Sequence, residues 1–375
     1  MACGASLLCS LPLWLADRSY PLQPIASWFP VLPPRWDVGG LVLMLAALVA
    51  ALRFPRAGVA GFLAVSLFLA LGDQARWQPW FYMYWVMMLL TLAGGRTGIM
   101  ACRIALCAVY LWAGVQKLNP NFFHQVSPWF VQPAAAWLPA IVMRGLGWLV
   151  AAAPAAEIFM AIALWPRRTR RAALWLCAAL HGISLVFLGP LGHNLNSVIW
   201  PWNLAMPTLA FVLFPLRPEP RREDAEAGPG RRSAWAYGIA GLFALLPALS
   251  FLGWWDSYLS FALYSGNTTT ADLYLSAAVR ERLPEAVRKY AAPTPEPFNP
   301  ELQGAYVLRV DLWALHTLNV LPLPERRTYL HLARYVAGFA SDPSDVRLVV
   351  VPRGGGTLFY RGGDLRPSAG VPLNF

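Results

Sequence analysis

The chain has almost no lysine. Thirty of its 375 residues are basic, and only Lys117 and Lys289 are lysines; the rest are arginines. Lysine is not the general surface cation here, so each one needs a local reason. Arginine stays charged, whereas a partly buried lysine can lose its proton and act as a base. Charge of either sign is also scarce: 13% of residues are charged, against about 25% in a soluble domain, which argues against an ordinary soluble chain. The five cysteines are Cys3, Cys9, Cys102, Cys107 and Cys177. Their number is odd, and no CxxC or Cys/His cluster occurs, so the sequence suggests neither a disulfide framework nor a metal site. A net charge of +11 is not a nucleic-acid signal here, because the arginines lie in loops between apolar runs, and no nucleic-acid partner is expected. Residues 1–16 contain no basic residue, so a cleaved signal peptide is not expected.

What is present is apolar. Hydrophobic residues make up 57% of the chain, and 18 tryptophans suit two interfacial belts. Apolar runs lie at 36–54, 57–73, 77–95, 98–117, 146–166, 172–190, 197–216 and 234–254. Each approaches the ~20 residues that a spanning helix needs. The expected fold is an all-α polytopic membrane bundle of about eight spans with a small C-terminal α+β extracytoplasmic domain. Residues 1–35, broken by prolines, form an N-terminal interfacial segment. Residues 36–216 form the bundle that carries the site. Residues 217–233 are a charged cytoplasmic linker, 234–255 the last span, and 256–375 the extracytoplasmic tail. In the tail, 305–312, 346–351 and 357–360 have strand-like composition, and 325–339 has helical spacing. The loops after the odd-numbered runs hold most of the arginines. The positive-inside tendency then puts them in the cytoplasm, both termini outside, and the protein in the cell membrane.

Few groups inside this apolar frame can do chemistry. Lys117 closes the stretch YLWAGVQK at the end of the fourth run. It reads as a base or, alternatively, as a snorkelling lysine that marks a helix end. Glu157 and His181 lie in the middle of the fifth and sixth runs, where ionisable side chains are costly and usually face a bundle interior; the alternatives are a structural hydrogen bond to a neighbouring helix for Glu157 and a satisfied core histidine for His181. His193 follows the sixth run, with Asn194, Asn196 and Ser197 beside it in HNLNS. In the eight-span topology this loop emerges on the same face as Lys117. A base, a histidine and amides at one membrane surface suit an amphipathic small molecule; the alternative is a turn with helix-capping side chains. The aromatic and polar residues of 254–270 suggest either a lid over that site or an interfacial belt.

YxxAGVQKL at 110–118 resembles the lysine-bearing segment of the vitamin K-dependent γ-carboxylase family, whose bacterial relatives carry the horizontally transferred transmembrane domain. HNLNS at 193–197 is similar to a second segment of that family, and the resemblance covers about 40–255. It implies an enzyme in which Lys117 deprotonates vitamin K hydroquinone or a related reduced naphthoquinone. His193, in the second matching segment with Asn194, Asn196 and Ser197, positions the anionic quinone species; those three, with Glu157 and His181 taken from the apolar runs, are the expected binding residues. Oxygenation of the quinol then drives proton removal from a peptide glutamate and addition of CO2. The partners implied are the lipid bilayer, a membrane quinone and a secreted peptide or protein acceptor. The family's animal members have a much larger lumenal region than 256–375, so quinol epoxidation carries over more readily than carboxylation. The alternative function is a non-catalytic quinone- or lipid-binding membrane protein, or an accessory subunit.

Overall fold

A computed structural model describes residues 1–217, 234–294 and 306–365. Most of the expected linker, 218–233, therefore lies outside the described residues. The helices are α1 (Ala2–Cys9), α2 (Leu11–Trp14), α3 (Pro34–Ala50), α4 (Pro55–Gly72), α5 (Pro79–Thr91), α6 (Gly95–Gln116), α7 (Ser127–Val131), α8 (Ala140–Ala151), α9 (Ala153–Ala163), α10 (Arg167–Leu188), α11 (Ile199–Leu213) and α12 (Ala234–Leu245). A C-terminal region follows with β1 (Thr270–Leu275), α13 (Ala277–Arg282), α14 (Glu285–Arg288), β2 (Ala291–Pro293), β3 (Tyr306–Leu308), α15 (Val310–Leu318), α16 (Arg326–Ala337), β4 (Val346–Val351) and β5 (Leu358–Arg361). The protein is thus mostly helical, with a small C-terminal sheet.

Eight spans are not supported. Among the described residues four helices are long and apolar enough to cross a membrane: α4, α6, α10 and Ala234–Leu252, where a 3-10 turn extends α12. These four are compatible with a membrane protein. The pair α8 and α9 makes a fifth if counted as one span bent by 42°. Pro154 lies in the first turn of α9; it lacks an N–H and crowds the carbonyl four residues back, which accounts for the bend. The expected count fails because an apolar run is longer than the helix within it. In the third run, Pro79 starts α5 and the turn at Gly94 and Gly95 follows it. Its 13 residues span about 20 Å, short of a ~30 Å hydrocarbon layer. Helix α11 stops at 15 residues and α3 at 17. With fewer crossings, the alternation of loops used to assign an orientation no longer holds as counted.

The chain forms two compact units that interleave in sequence. One comprises Met1–Cys9, Val42–Leu67 and Trp77–Asn267; the other comprises Ser10–Leu41, Phe68–Arg76 and the chain from Thr268 onward. In the first, α6 is the central helix, packed by α5, α9, α11 and α12. Its middle is small and apolar, with Ala101, Ala105 and Ala108 buried, so neighbouring helices approach closely.

In the second unit a five-stranded antiparallel sheet has the order β2-β3-β1-β4-β5. Leu273 of β1 pairs with Leu308 on one side and Leu348 on the other, and all three are buried. Helix α16 packs on β4 through the apolar stripe that contains Leu332 and Val336. The expected strand at 305–312 is shorter than its alternation suggests: β3 ends at Leu308 and α15 starts at Val310. Val310, Trp313 and Ala314 are buried at helical spacing, and that face outweighs the two-residue alternation. The same unit holds a buried ionic cluster. Asp73 bonds Arg18, and Arg76 lies 3.9 Å away, with side-chain exposures of 5% or less.

Candidate functional site

Helix α6 brings Lys117 to its partner by way of a glycine. A Cβ on Gly114 would lie 2.7 Å from the Pro154 carbonyl oxygen and 2.8 Å from Ile158 Cγ1. Only glycine allows α6 and α9 to approach this closely. One turn further along each helix from Gly114 and Pro154, Lys117 and Glu157 meet. Lys117 Nζ donates to Glu157 Oε1 at 3.0 Å, to Oε2 at 2.8 Å and to the Ala113 carbonyl at 3.1 Å. The two side chains are 13% and 10% exposed. An ammonium has three protons to donate, and all three are engaged.

Two turns back along the same face of α6 is Tyr110, about 10 Å along the axis. Its hydroxyl lies 3.0 Å from His181 Nε2 and 2.9 Å from Cys177 Sγ. Cys177 and His181 are four residues apart and so share a face of α10. His181 Nδ1 is 2.8 Å from Asn203 Oδ1, while Asn203 Nδ2 donates to the Ile199 carbonyl at 2.9 Å. With the amide assigned in this orientation its oxygen must accept, so Nδ1 carries the proton. In the neutral ring Nε2 then accepts from Tyr110, and the Cys177 thiol donates to the Tyr110 oxygen. The array is a directed chain of neutral groups.

Both polar groupings face one cavity of about 370 Å³, at the lower end of the ~300–1,000 Å³ typical of small-molecule sites. Lys117, Glu157, Tyr110, His181 and Asn203 line it together with Val109, Phe122, Phe130, Leu180, Met206, Phe261, Leu263 and Tyr264. The walls are mostly apolar and the polar groups lie at two places, an arrangement that suits an amphipathic molecule. Among the described residues no group of three or more His, Cys, Asp and Glu side chains is placed to hold a metal ion.

The structure brings together three of the residues singled out in the sequence, Lys117, Glu157 and His181. The others lie apart from the cavity lining. His193 stacks on Trp129, with ring centroids 4.1 Å apart, and its Nε2 bonds the Trp129 carbonyl at 2.8 Å. Asn194 and Asn196 turn the chain with φ of 51° and 48°, a left-handed conformation that asparagine tolerates. Asn196 Nδ2 donates to the Tyr264 hydroxyl at 3.2 Å. The Ser197 carbonyl accepts from Trp200 N as α11 begins. HNLNS thus backs the wall residue Tyr264 and does not itself line the cavity. Tyr264 also stacks on Trp129 at 5.8 Å, and burial pushes its phenol up to about 12 although the Asn196 bond opposes this. Sequence reasoning missed Tyr110 and Asn203. A lone amide inside the seventh apolar run was the signal for Asn203. Tyr110 opens the same stretch as Lys117, and its spacing of seven from the lysine marks one helix face.

Comparison with protein-family models, with curated proteins and with solved structures finds no match.

Proposed function

We propose that this chain is a membrane enzyme that binds a reduced quinone in the α6–α9–α10–α11 cavity and uses Lys117, paired with Glu157, to take its hydroxyl proton. The observation that carries this reading is the Lys117–Glu157 pair at 2.8 Å in the wall of a mostly apolar cavity. A naphthoquinol with an apolar tail fits that division: ring and tail against the aliphatic and aromatic walls, hydroxyls at the polar positions. The proton path follows from the bonds. Lys117 first passes a proton to Glu157 along their hydrogen bond, leaving a neutral amine and a carboxylic acid. The amine lone pair then accepts the quinol proton, so the pair gains one positive charge and the bound quinol one negative charge. Tyr110 and His181 offer a second polar contact two helical turns away.

The steps after proton removal rest on the resemblance of 110–118 to the vitamin K-dependent γ-carboxylases. In this reading oxygen epoxidises the quinol, and a secreted peptide glutamate is the acceptor for carboxylation. In this reading the chain lies in the cell membrane. A second reading, a non-catalytic quinone- or lipid-binding protein or accessory subunit, is favoured by one observation. The three ammonium protons of Lys117 are all engaged by Glu157 and the Ala113 carbonyl, which also suits a fixed ion pair in the wall of a binding cavity.

Lys117→Arg separates the two. Arginine keeps the charge but is not deprotonated in proteins. Membranes carrying the variant are expected to bind a naphthoquinol and to lose its oxidation, followed as epoxide formation. Turnover as fast as the parent's ends the base assignment. A parent that binds naphthoquinols yet forms no epoxide from any of them leaves the binding reading in place of the enzyme.

A further inference from the structure

The end of α6 is tied down by a segment that also walls the cavity. Phe261, Leu263 and Tyr264 line the cavity, and the next three residues reach back to the chain on either side of Lys117. Asn267 Nδ2 donates to Gln116 Oε1 at 2.7 Å, and Gln116 Nε2 donates to Ser250 Oγ at 2.9 Å. Gln116, one residue before the lysine, is fully buried. Asn119, two residues after it, donates from Nδ2 to the carbonyls of Gln116 and Ser265, both at 2.8 Å. Its Oδ1 accepts from Phe122 N at 3.0 Å, where a π-helical turn, Phe122–Val126, begins. Asn121 Nδ2 adds a bond to the Gly266 carbonyl at 3.3 Å.

The backbone of this segment is unusual. Phe261, Tyr264 and Gly266 have φ of 60°, 52° and 70°, a region that residues with side chains rarely adopt. A Cβ on Gly266 would lie 2.8 Å from Phe122 N, so glycine is what lets the segment press against the π-helical turn. A strained segment persists only where its surroundings over-determine it, and such segments cluster at functional sites. Here the over-determining bonds are the ones to Gln116, Asn119 and Asn121.

We infer that 261–267 is a strap that sets the position of the Lys117 amine, with Gln116, Asn119 and Asn267 as its positioning residues. The inference rests on Lys117 being the working group of the cavity. None of the three is in the cavity lining, so they act through the helix end. A molecule that displaces Tyr264 or Phe261 pulls on the bonds that hold Lys117 against Glu157.

The scarcity of lysine supplies the test. Lys117 and Lys289 are the only lysines, and Lys289 is exposed, so it serves as an internal reference. The full chain in detergent is treated with an amine-acylating reagent, and the labelling of each lysine is read by mass spectrometry. In the parent, Lys117 labels more slowly than Lys289. Asn119→Ala and Asn267→Ala each raise the ratio of Lys117 to Lys289 labelling, by about three- to tenfold for the loss of one or two net hydrogen bonds. Asn119→Asp, which keeps the acceptor for Phe122 N but loses the donor, behaves like Asn119→Ala. The inference is overturned if the ratio is unchanged in both alanine variants, or if Lys117 labelling rises only in step with Lys289. No quinol enters the assay, so its failure leaves the quinol reading standing, and a failed Lys117→Arg experiment leaves the strap standing.

Discussion

Each of the two units buries an ionic group, and the groups differ in what surrounds them. Around Asp73 every strong donor has a fixed acceptor. Arg76 donates to the carbonyls of Leu13, Leu69 and Trp14 at 2.7–3.0 Å and lies over the Trp14 ring. Arg18 donates to Leu13 and Tyr20 carbonyls, and Asp73 Oδ1 accepts from Gln23 N and Ala75 N. Burial lowers Arg76 to about 10 against the pull of Asp73, so it stays charged at neutral pH. The void beside it is about 20 Å³, close to the room one water needs. Lys117 and Glu157 instead flank 370 Å³. Burial of charge is common to both and so does not identify a site. What separates them is open volume beside the charge, and the first cluster reads as a clamp that ties 10–23 to 73–76.

The contrast is broken most directly at its acids. Asp73→Ala leaves two buried guanidiniums without their counter-charge, and removing one partner of a buried pair costs ~3–5 kcal/mol. A marginally stable unit tolerates little of that. The expected outcome is a large fall in the denaturation midpoint of the purified chain, or loss of the folded protein altogether. Glu157→Gln removes the corresponding acid at the cavity. Lys117 is 13% exposed and keeps the Ala113 carbonyl, so the stability cost is smaller, about 1–3 kcal/mol, while quinol oxidation is lost. Equal stability losses at the two sites would erase the difference between clamp and cavity.

Much of the site was legible in the sequence because ionisable side chains in apolar runs are few. Glu157 and His181 were found on that ground and Lys117 on the scarcity of lysine, and the structure places all three on one cavity. His193 was marked on a different ground, a histidine beside amides just past a run; its ring stacks on Trp129, a partner 64 residues away that no local pattern reveals, and lies apart from the cavity lining. Span number was less legible. Hydropathy measures composition, whereas helix length is set by Pro79, Pro154 and the Gly94–Gly95 turn. In the tail, β4 follows its β-branched composition over Val346–Val351. The discontinuous unit that joins 10–41 and 68–76 to the tail depends on contacts such as Tyr20 on Trp313, and nothing local in the sequence encodes them.

A subtler break acts on the approach of α6 to α9. Gly114→Ala places a methyl group 2.7 Å from a backbone carbonyl oxygen, and backbone cannot rotate away as a side chain does. Overpacking of this kind costs ~1–3 kcal/mol. The helices must separate, and Lys117 then loses its short contact with Glu157. The expected result is a modest fall in the midpoint together with a rise in Lys117 acylation relative to Lys289. Gly182 offers a control on α10, because a Cβ there meets nothing within 4 Å; Gly182→Ala leaves both readouts unchanged. If Gly114→Ala behaves like Gly182→Ala, close helix approach is not what pairs the lysine with its acid.

The smallest effect expected comes from pH, and it belongs to the unit without the large cavity. Burial lowers His331 below its ordinary 6.5; the Leu22 backbone bond and Asp73 oppose this, and Arg334 adds to it. Its Nε2 is buried with no partner among the described residues. The folded chain therefore holds this proton less tightly than the unfolded chain, so stability rises with pH through the interval below 6.5. It is fully present above that value and is lost as the medium is acidified towards the lower folded-state value. Denaturation midpoints measured between pH 7.5 and 5 should fall in the parent and fall less in His331→Gln, which cannot titrate. Identical slopes in the two proteins mean that the acid sensitivity of this unit arises elsewhere.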